Sequence, residues 1–268
     1  GRGMSDADRP GGLPLDPVLP ASSFSALLRK RGMEPAWEMP PGAALPSTPE
    51  GTTVLAMRFG DGVVMGGDRR ATEGHYIAHR RIQKVYAADH FSAVAIAGTA
   101  GLAIELIRLF QTELEHYEKL EGSRLSLEGK ANHLARMVRE HLPLAFQGLI
   151  VVPLFCGYDE LDRRGRLYTF DVVGGRYEEL DYAATGSGGR EAKAHLKGVF
   201  RPDLTEEDAL RHAVGALVSA AEEDTATGGP DLRRGIYPNL VTVTASGYVE
   251  IPEDRVAEIA AAVLEERR

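Results

Sequence analysis

The order of elements along this chain predicts an α+β fold, a four-layer αββα sandwich of two antiparallel sheets flanked by helices. Three observations carry that reading. Apolar runs of strand length come in clusters. Pairs of segments with helical periodicity separate the clusters. Strand and helix do not alternate singly, as a doubly wound parallel sheet requires.

The first 50 residues stand outside the pattern. They hold nine of the 15 prolines, from Pro10 to Pro49. Proline fixes φ and removes an N–H donor, so such a stretch builds neither long helices nor central strands. One amphipathic piece, Ser23 to Arg31, has the pattern of a few helical turns. On composition the segment is a disordered arm or a processed leader.

Regular structure is expected from Thr52. Thr52–Phe59 reads as a strand, Gly60-Asp61-Gly62 as a turn, and Val63–Gly67 as the returning strand. A third strand is expected over Phe91–Ala97. Helical stripes follow at Gly101–Leu120 and Leu127–Phe146. Strands return near Leu149–Tyr158, Leu167–Val172 and Tyr177–Leu180. Two more helices are expected over Arg190–Gly198 and Thr205–Glu223. In the second, Thr205 with Glu206, Glu207 and Asp208 makes a good start, because acidic groups favour the positive end of the helix dipole. Strands at Leu240–Thr244 and Tyr248–Ile251 precede a last helix, Glu253–Glu266.

Composition bounds the function. The chain has 268 residues, 43% of them hydrophobic, enough for one large domain or two small ones. A net charge of −8 leaves no basic footprint for nucleic acid or anionic lipid. The one cysteine, Cys156, lies in an apolar run and reads as a buried core thiol. No disulfide can form within the chain, which fits a reducing, cytoplasmic setting. No apolar run approaches the roughly 20 residues that span a bilayer.

Several common sites are missing from the sequence. There is no His-Glu-x-x-His, no P-loop, and no ligand spacing among the eight histidines. No metal or cofactor is expected. Gly186-Ser187-Gly188-Gly189 falls short of a serine nucleophile elbow, which needs glycine where Thr185 stands. Its plain reading is a tight turn that opens a helix.

The informative set is Gly51-Thr52-Thr53-Val54, Gly66-Gly67-Asp68-Arg69-Arg70, Lys84 and Ala97-Gly98-Thr99-Ala100, with Gly186-Ser187-Gly188 and Asp224 to Gly229 further on. Each piece alone is ordinary. Together, at this spacing, they resemble the mature part of proteasome β-subunits, and the resemblance covers essentially all of residues 52–268. The stretch Glu115 to Gly122 and the tail Ala226 to Asp231 look like the actinobacterial branch.

The resemblance implies a fold of the N-terminal-nucleophile hydrolase type, and a precursor with residues 1–51 as propeptide and 52–268 as catalytic domain. It implies self-cleavage between Gly51 and Thr52, after which Thr52 is the nucleophile of a threonine endopeptidase. The chemistry is coherent. A threonine hydroxyl needs a base, and a free α-amine, with a pKa of about 7.7–8.0, can serve. Lys84, held by Asp68, is the ammonium expected to lower that pKa further. While Gly51 is attached, the nitrogen is an amide and no base. Gly51, lacking a Cβ, leaves its carbonyl open to Thr52 Oγ.

The remaining roles are implied position by position. Gly98 supplies the oxyanion N–H. Ser187 and Asp224 support the amine, with Thr227 where many relatives carry serine. Thr72, Gly98 and Ala100 hold substrate as an added strand. Ala71, Ile82, Ile96 and Ala100 line an apolar pocket, though core packing explains Ile82 and Ile96 equally well.

Implied partners are a proteasome α-subunit, identical β-subunits in heptameric rings (14 copies in the core), a ring-shaped ATPase, and unfolded, tagged protein substrates. The segment Ser23–Arg31 is a candidate assembly piece. Three other readings stay open: a two-ring heat-shock threonine protease, a hydrolase of small amides, and a non-catalytic structural ring subunit. Against the last, the chain keeps Gly51, Thr52, Asp68, Lys84, Ser187 and Asp224.

Overall fold

The computed structural model describes residues 51–73, 76–79 and 82–268. The expected leader, with its Ser23–Arg31 piece, lies outside the described residues apart from Gly51.

Twelve strands and six helices follow one another among the described residues. Strands β1 (Thr53–Phe59), β2 (Gly62–Gly67), β3 (Ala71–Glu73), β4 (Tyr76–His79), β5 (Val85–Asp89) and β6 (Ser92–Gly98) come first. Helices α1 (Ala100–Glu121), α2 (Leu127–Glu140) and α3 (Leu142–Ala145) follow. Then come β7 (Val151–Asp159), β8 (Arg164–Phe170), β9 (Arg176–Glu179) and β10 (Tyr182–Gly186). Helices α4 (Gly189–Val199) and α5 (Glu206–Glu223), strands β11 (Asn239–Thr244) and β12 (Gly247–Glu250), and helix α6 (Glu253–Glu266) complete the chain.

The strands form two five-stranded antiparallel sheets, ordered β10-β1-β2-β11-β12 and β5-β6-β7-β8-β9, beside a β3-β4 hairpin. Three apolar clusters set the layers. On β1, Leu55, Met57 and Phe59 pack with Leu196, Leu210, Leu217 and Ile259 of α4, α5 and α6. The alternate residues Val54 and Ala56 face Ala93, Ala95, Leu154 and Cys156 of the other sheet. The outer face of that second sheet packs Val94, Phe155 and Tyr168 against Leu106, Phe110, Leu134 and Met137 of α1 and α2. Side chains on successive strand positions point to opposite faces, so a strand covered on both faces must be apolar throughout. That is why the middle of β1 is the apolar run Val54-Leu55-Ala56-Met57. Each fully buried Leu, Met or Phe contributes roughly 1.5–3 kcal/mol over an exposed one.

The expected sandwich is therefore present, and Cys156 lies in its inter-sheet core. The differences are local. The helix expected over 127–146 breaks after Glu140, because Pro143 has no N–H to donate and its ring crowds the carbonyl four residues back. Strands β3, β4, β5 and β10 are additions. Two of the long helices, α2 and α5, start at side-chain caps. Thr205 Oγ1 accepts from the Asp208 N–H at 3.1 Å, and Ser126 Oγ from the Gly129 N–H at 3.0 Å, each worth about 1 kcal/mol.

Candidate active site

Of the residues singled out in the sequence, Gly51, Thr52, Asp68, Lys84, Ser187, Asp224 and Thr227 converge at the start of β1. Thr52 is 7% exposed, and its carbonyl accepts from the Ser187 N–H at 2.9 Å. Gly186 makes that approach possible: its φ is +98°, and a Cβ there lies 1.6 Å from the Thr52 carbonyl oxygen. The Gly186 to Gly189 run is thus a tight turn opening α4, as its plain reading has it, and it is also pinned to Thr52.

Asp68 follows β2 directly and is fully buried. Its Oδ1 accepts from the Thr53 N–H at 3.0 Å and from Lys84 Nζ at 2.7 Å. Its Oδ2 accepts from the backbone N–H groups of Arg70 (3.1 Å) and Gly228 (2.9 Å). Four donors compensate the cost of burying this charge. Lys84, 7% exposed, also donates to the carbonyl oxygens of Arg70 (2.5 Å) and Gly51 (3.2 Å). Its own N–H donates to Asn239 Oδ1 at 3.0 Å. The ammonium therefore stands between Asp68 and the peptide group that joins Gly51 to Thr52.

A second group of polar side chains lies across Thr53. Asp224 ends α5. Its Oδ2 accepts from Ser187 Oγ at 2.5 Å and from Thr227 Oγ1 at 2.6 Å, while Oδ1 accepts from the Ala226 N–H. Burial pushes the Asp224 carboxyl up; the Ser187 and Thr227 hydroxyls, the Ala226 N–H and the charge of Arg70 outweigh it, and the net is below the usual carboxylate value. Thr227 Oγ1 lies 2.6 Å from Thr53 Oγ1, which accepts from the Gly188 N–H at 3.0 Å.

Gly98 ends β6 just before α1. Its φ is +122°, and a Cβ there lies 2.0 Å from the Ile150 carbonyl oxygen, so only glycine fits. Ala100 begins α1 and Ile82 precedes Lys84, both half-buried. Ile96 is 5% exposed and packs in the cluster under α1 and α2, which accounts for it as a core residue. The backbone of Ala71 and Thr72 belongs to the β3-β4 hairpin, with Thr72 opposite Ile77.

Three participants escaped the sequence reading. Thr53 was read as strand, although its position next to Thr52 was a signal. Asn239, beside Pro238 at the start of β11, anchors the Lys84 backbone. The Gly228 N–H completes the shell of Asp68, and only the fold brings those two together across 160 positions.

Among the described residues no helix is long and apolar enough to cross a membrane. Comparison with known proteins agrees with the geometry. A family model described as "Proteasome subunit" matches residues 48–231. A proteasome subunit beta of Acidimicrobium ferrooxidans is 54% identical over 241 residues, covering 90% of this chain and 88% of that protein. Those of Streptomyces griseus and Acidothermus cellulolyticus are each 53% identical, over 229 and 234 residues, covering 85% and 86% of this chain and 82% and 81% of theirs. With a family model over residues 48–231 and relatives 53–54% identical over most of its length, the chain belongs to the proteasome subunit family.

Proposed function

We propose that this chain is a catalytic β-subunit of a proteasome core, a threonine endopeptidase made as a precursor. The observation that carries the reading is the Lys84 ammonium, held by buried Asp68 and donating to the Gly51 carbonyl oxygen beside Thr52.

In the precursor, Thr52 Oγ attacks the Gly51 carbonyl carbon. The C–N bond to Thr52 breaks, the acyl group passes to Oγ as an ester, and the nitrogen takes up the hydroxyl proton. Water hydrolyses the ester, which frees the hydroxyl and the α-amine. The amine then takes the Oγ proton as Oγ attacks a substrate peptide carbonyl. The Gly98 N–H donates to the resulting oxyanion, a contribution of typically ~3 kcal/mol. The proton passes to the leaving amine, and water hydrolyses the acyl-enzyme. Lys84 favours the neutral amine by its charge, while Ser187 and Asp224 hold the amine in place.

The backbone of β3, Gly98 and Ala100 binds substrate as an added strand. Ile82 and Ala100 favour an apolar side chain before the cut, while Ile96 packs in the core behind them. The subunit assembles in heptameric rings with α-subunits in the cytoplasm. There a ring-shaped ATPase feeds it unfolded, tagged chains.

Intact mass after co-expression with the α-subunit tests the reading, with Thr52→Ala alongside. Loss of residues 1–51 in the wild type and retention in the variant is the expected result. Retention in both, inside assembled rings, makes the chain a structural subunit.

A further inference from the structure

We propose that Thr53 is a positioning residue for the reaction, acting through a one-directional hydrogen-bond relay from the Gly188 N–H to Asp224. The inference rests on the function proposed above and assigns a part to a residue that this function leaves unused.

The direction of the relay follows from counting donors. The Gly188 N–H can only donate, and it donates to Thr53 Oγ1 at 3.0 Å. The Asp224 carboxylate can only accept, and its Oδ2 takes Thr227 Oγ1 at 2.6 Å and Ser187 Oγ at 2.5 Å. The Thr227 proton is therefore committed to Asp224. The 2.6 Å contact between Thr53 Oγ1 and Thr227 Oγ1 has one assignment left, with Thr53 donating. Thr53 is fully buried and Thr227 is 1% exposed, so water competes with neither link. A Cβ on Gly188 lies 2.6 Å from Thr53 Oγ1 and 2.9 Å from Thr227 Oγ1, so the three groups are packed as closely as their atoms allow.

The consequence reaches the exposed end. Ser187 must donate its proton to Asp224, which leaves the Ser187 oxygen able only to accept. An acceptor is what the freed Thr52 amine requires there. The backbone joins the same groups: Thr52 and Thr53 are adjacent, and the Thr52 carbonyl accepts from the Ser187 N–H. Removing the Thr53 hydroxyl orphans the buried Gly188 N–H and releases Thr227 to rotate away from Asp224. A carboxylate with fewer donors keeps more of its charge for the neighbouring amine, and so favours the ammonium form over the base.

The test uses the full chain co-expressed with its α-subunit, as wild type, Thr53→Val, Thr53→Ser, Thr227→Val and the Thr53→Val/Thr227→Val double variant. Leader loss is followed by intact mass. Steady-state kinetics use a fluorogenic peptide with an apolar residue before the cut. Thr53→Val should lose about tenfold in kcat, the scale of one hydrogen bond, with KM within about twofold. The acidic limb of its kcat–pH profile should move to higher pH. Thr53→Ser should restore both. The double variant should lose no more than the worse single variant, because both remove one relay.

Wild-type kcat and pH profile in Thr53→Val, or equal loss in Thr53→Ser, overturns the relay while wild-type activity leaves the proposed function standing. Should Thr53→Val fail to assemble, Thr227→Val carries the decision, and an unshifted profile there overturns the relay. A wild type that keeps its leader and cleaves nothing overturns both.

Discussion

Lys84 Nζ donates to the Gly51 carbonyl oxygen across 3.2 Å, while the same ammonium lies 2.7 Å from Asp68 Oδ1. One buried cation thus links Asp68, just after β2, to the peptide bond that precedes Thr52. In water an ammonium beside a neutral carbonyl would matter little. Here Lys84 and Asp68 are 7% and 0% exposed, so the field is weakly screened and the geometry fixed by the sheet.

Replacing Lys84 by Met removes the charge and keeps the length. Asp68 then retains three backbone donors without a counter-ion. Leader removal and peptide hydrolysis should both be lost, read by intact mass and by the fluorogenic peptide. The fold should also lose roughly 3–5 kcal/mol, because breaking a buried pair strands the remaining charge. Chemical denaturation of the purified chain measures that. Unchanged stability would mean that the Asp68 charge is not confined as its four donors imply.

Gly51 meets a different constraint. A Cβ there lies 2.0 Å from Ala226 Cβ and 2.8 Å from the Ala226 carbonyl oxygen. Gly51→Ala should slow leader loss by roughly tenfold or more, since the carbonyl must shift to relieve the overlap. Once the leader is gone the substitution is gone with it. Fully processed material from Gly51→Ala should therefore match the wild type in kcat and KM, and a lasting deficit would place the defect elsewhere than in cleavage.

At Gly98 the constraint is conformational. Its φ of +122° and the 2.0 Å approach of an added Cβ to the Ile150 carbonyl oxygen leave alanine no unstrained solution. Gly98→Ala should cost about 1–3 kcal/mol in stability. It should also reduce kcat about a hundredfold by moving the N–H proposed to meet the oxyanion. Thermal unfolding and kinetics on assembled particles check the two effects separately. A destabilised variant with normal kcat would remove Gly98 from the proposed mechanism.

The parts of this fold that were legible in the sequence are those governed by local chemistry. The β1-β2 hairpin announced itself through Gly60-Asp61-Gly62, and α5 through the Thr205 cap with its acidic first turn. Strand β5 was hidden because Val85 to Asp89 is short and shows no polar–apolar alternation, one face lying against α1 through Ala88 and Tyr86. Strand β10 was hidden because Tyr182 to Gly186 alternates weakly and takes its register from β1. The site divided in the same way. Thr52, Asp68 and Lys84 were legible through the family resemblance that their motifs carry together. Asn239 and Thr53 are defined by what touches them, and that depends on contacts made far away in the chain.

The fold also holds a pH-sensitive contact away from the site. His195 on α4 lies against Gly215 of α5, and its Nδ1 faces Ser219 Oγ at 3.2 Å and the Arg267 guanidinium at 3.4 Å. A guanidinium can only donate, so Nδ1 accepts and the neutral ring carries its proton on Nε2. Burial and the charge of Arg267 hold the His195 pKa below the ordinary 6.5, and burial does the same at His212. Below 6.5 the unfolded chain therefore binds more protons than the folded one. The stability contributed by these rings is fully present above 6.5 and is lost as pH falls toward their folded values. The thermal midpoint should drop between about pH 7.5 and about pH 5.5. His195→Asn, which keeps a neutral polar group against Ser219, should flatten part of that drop. A variant with the full wild-type slope would show that protonation of His195 is not what loosens α4 from α5.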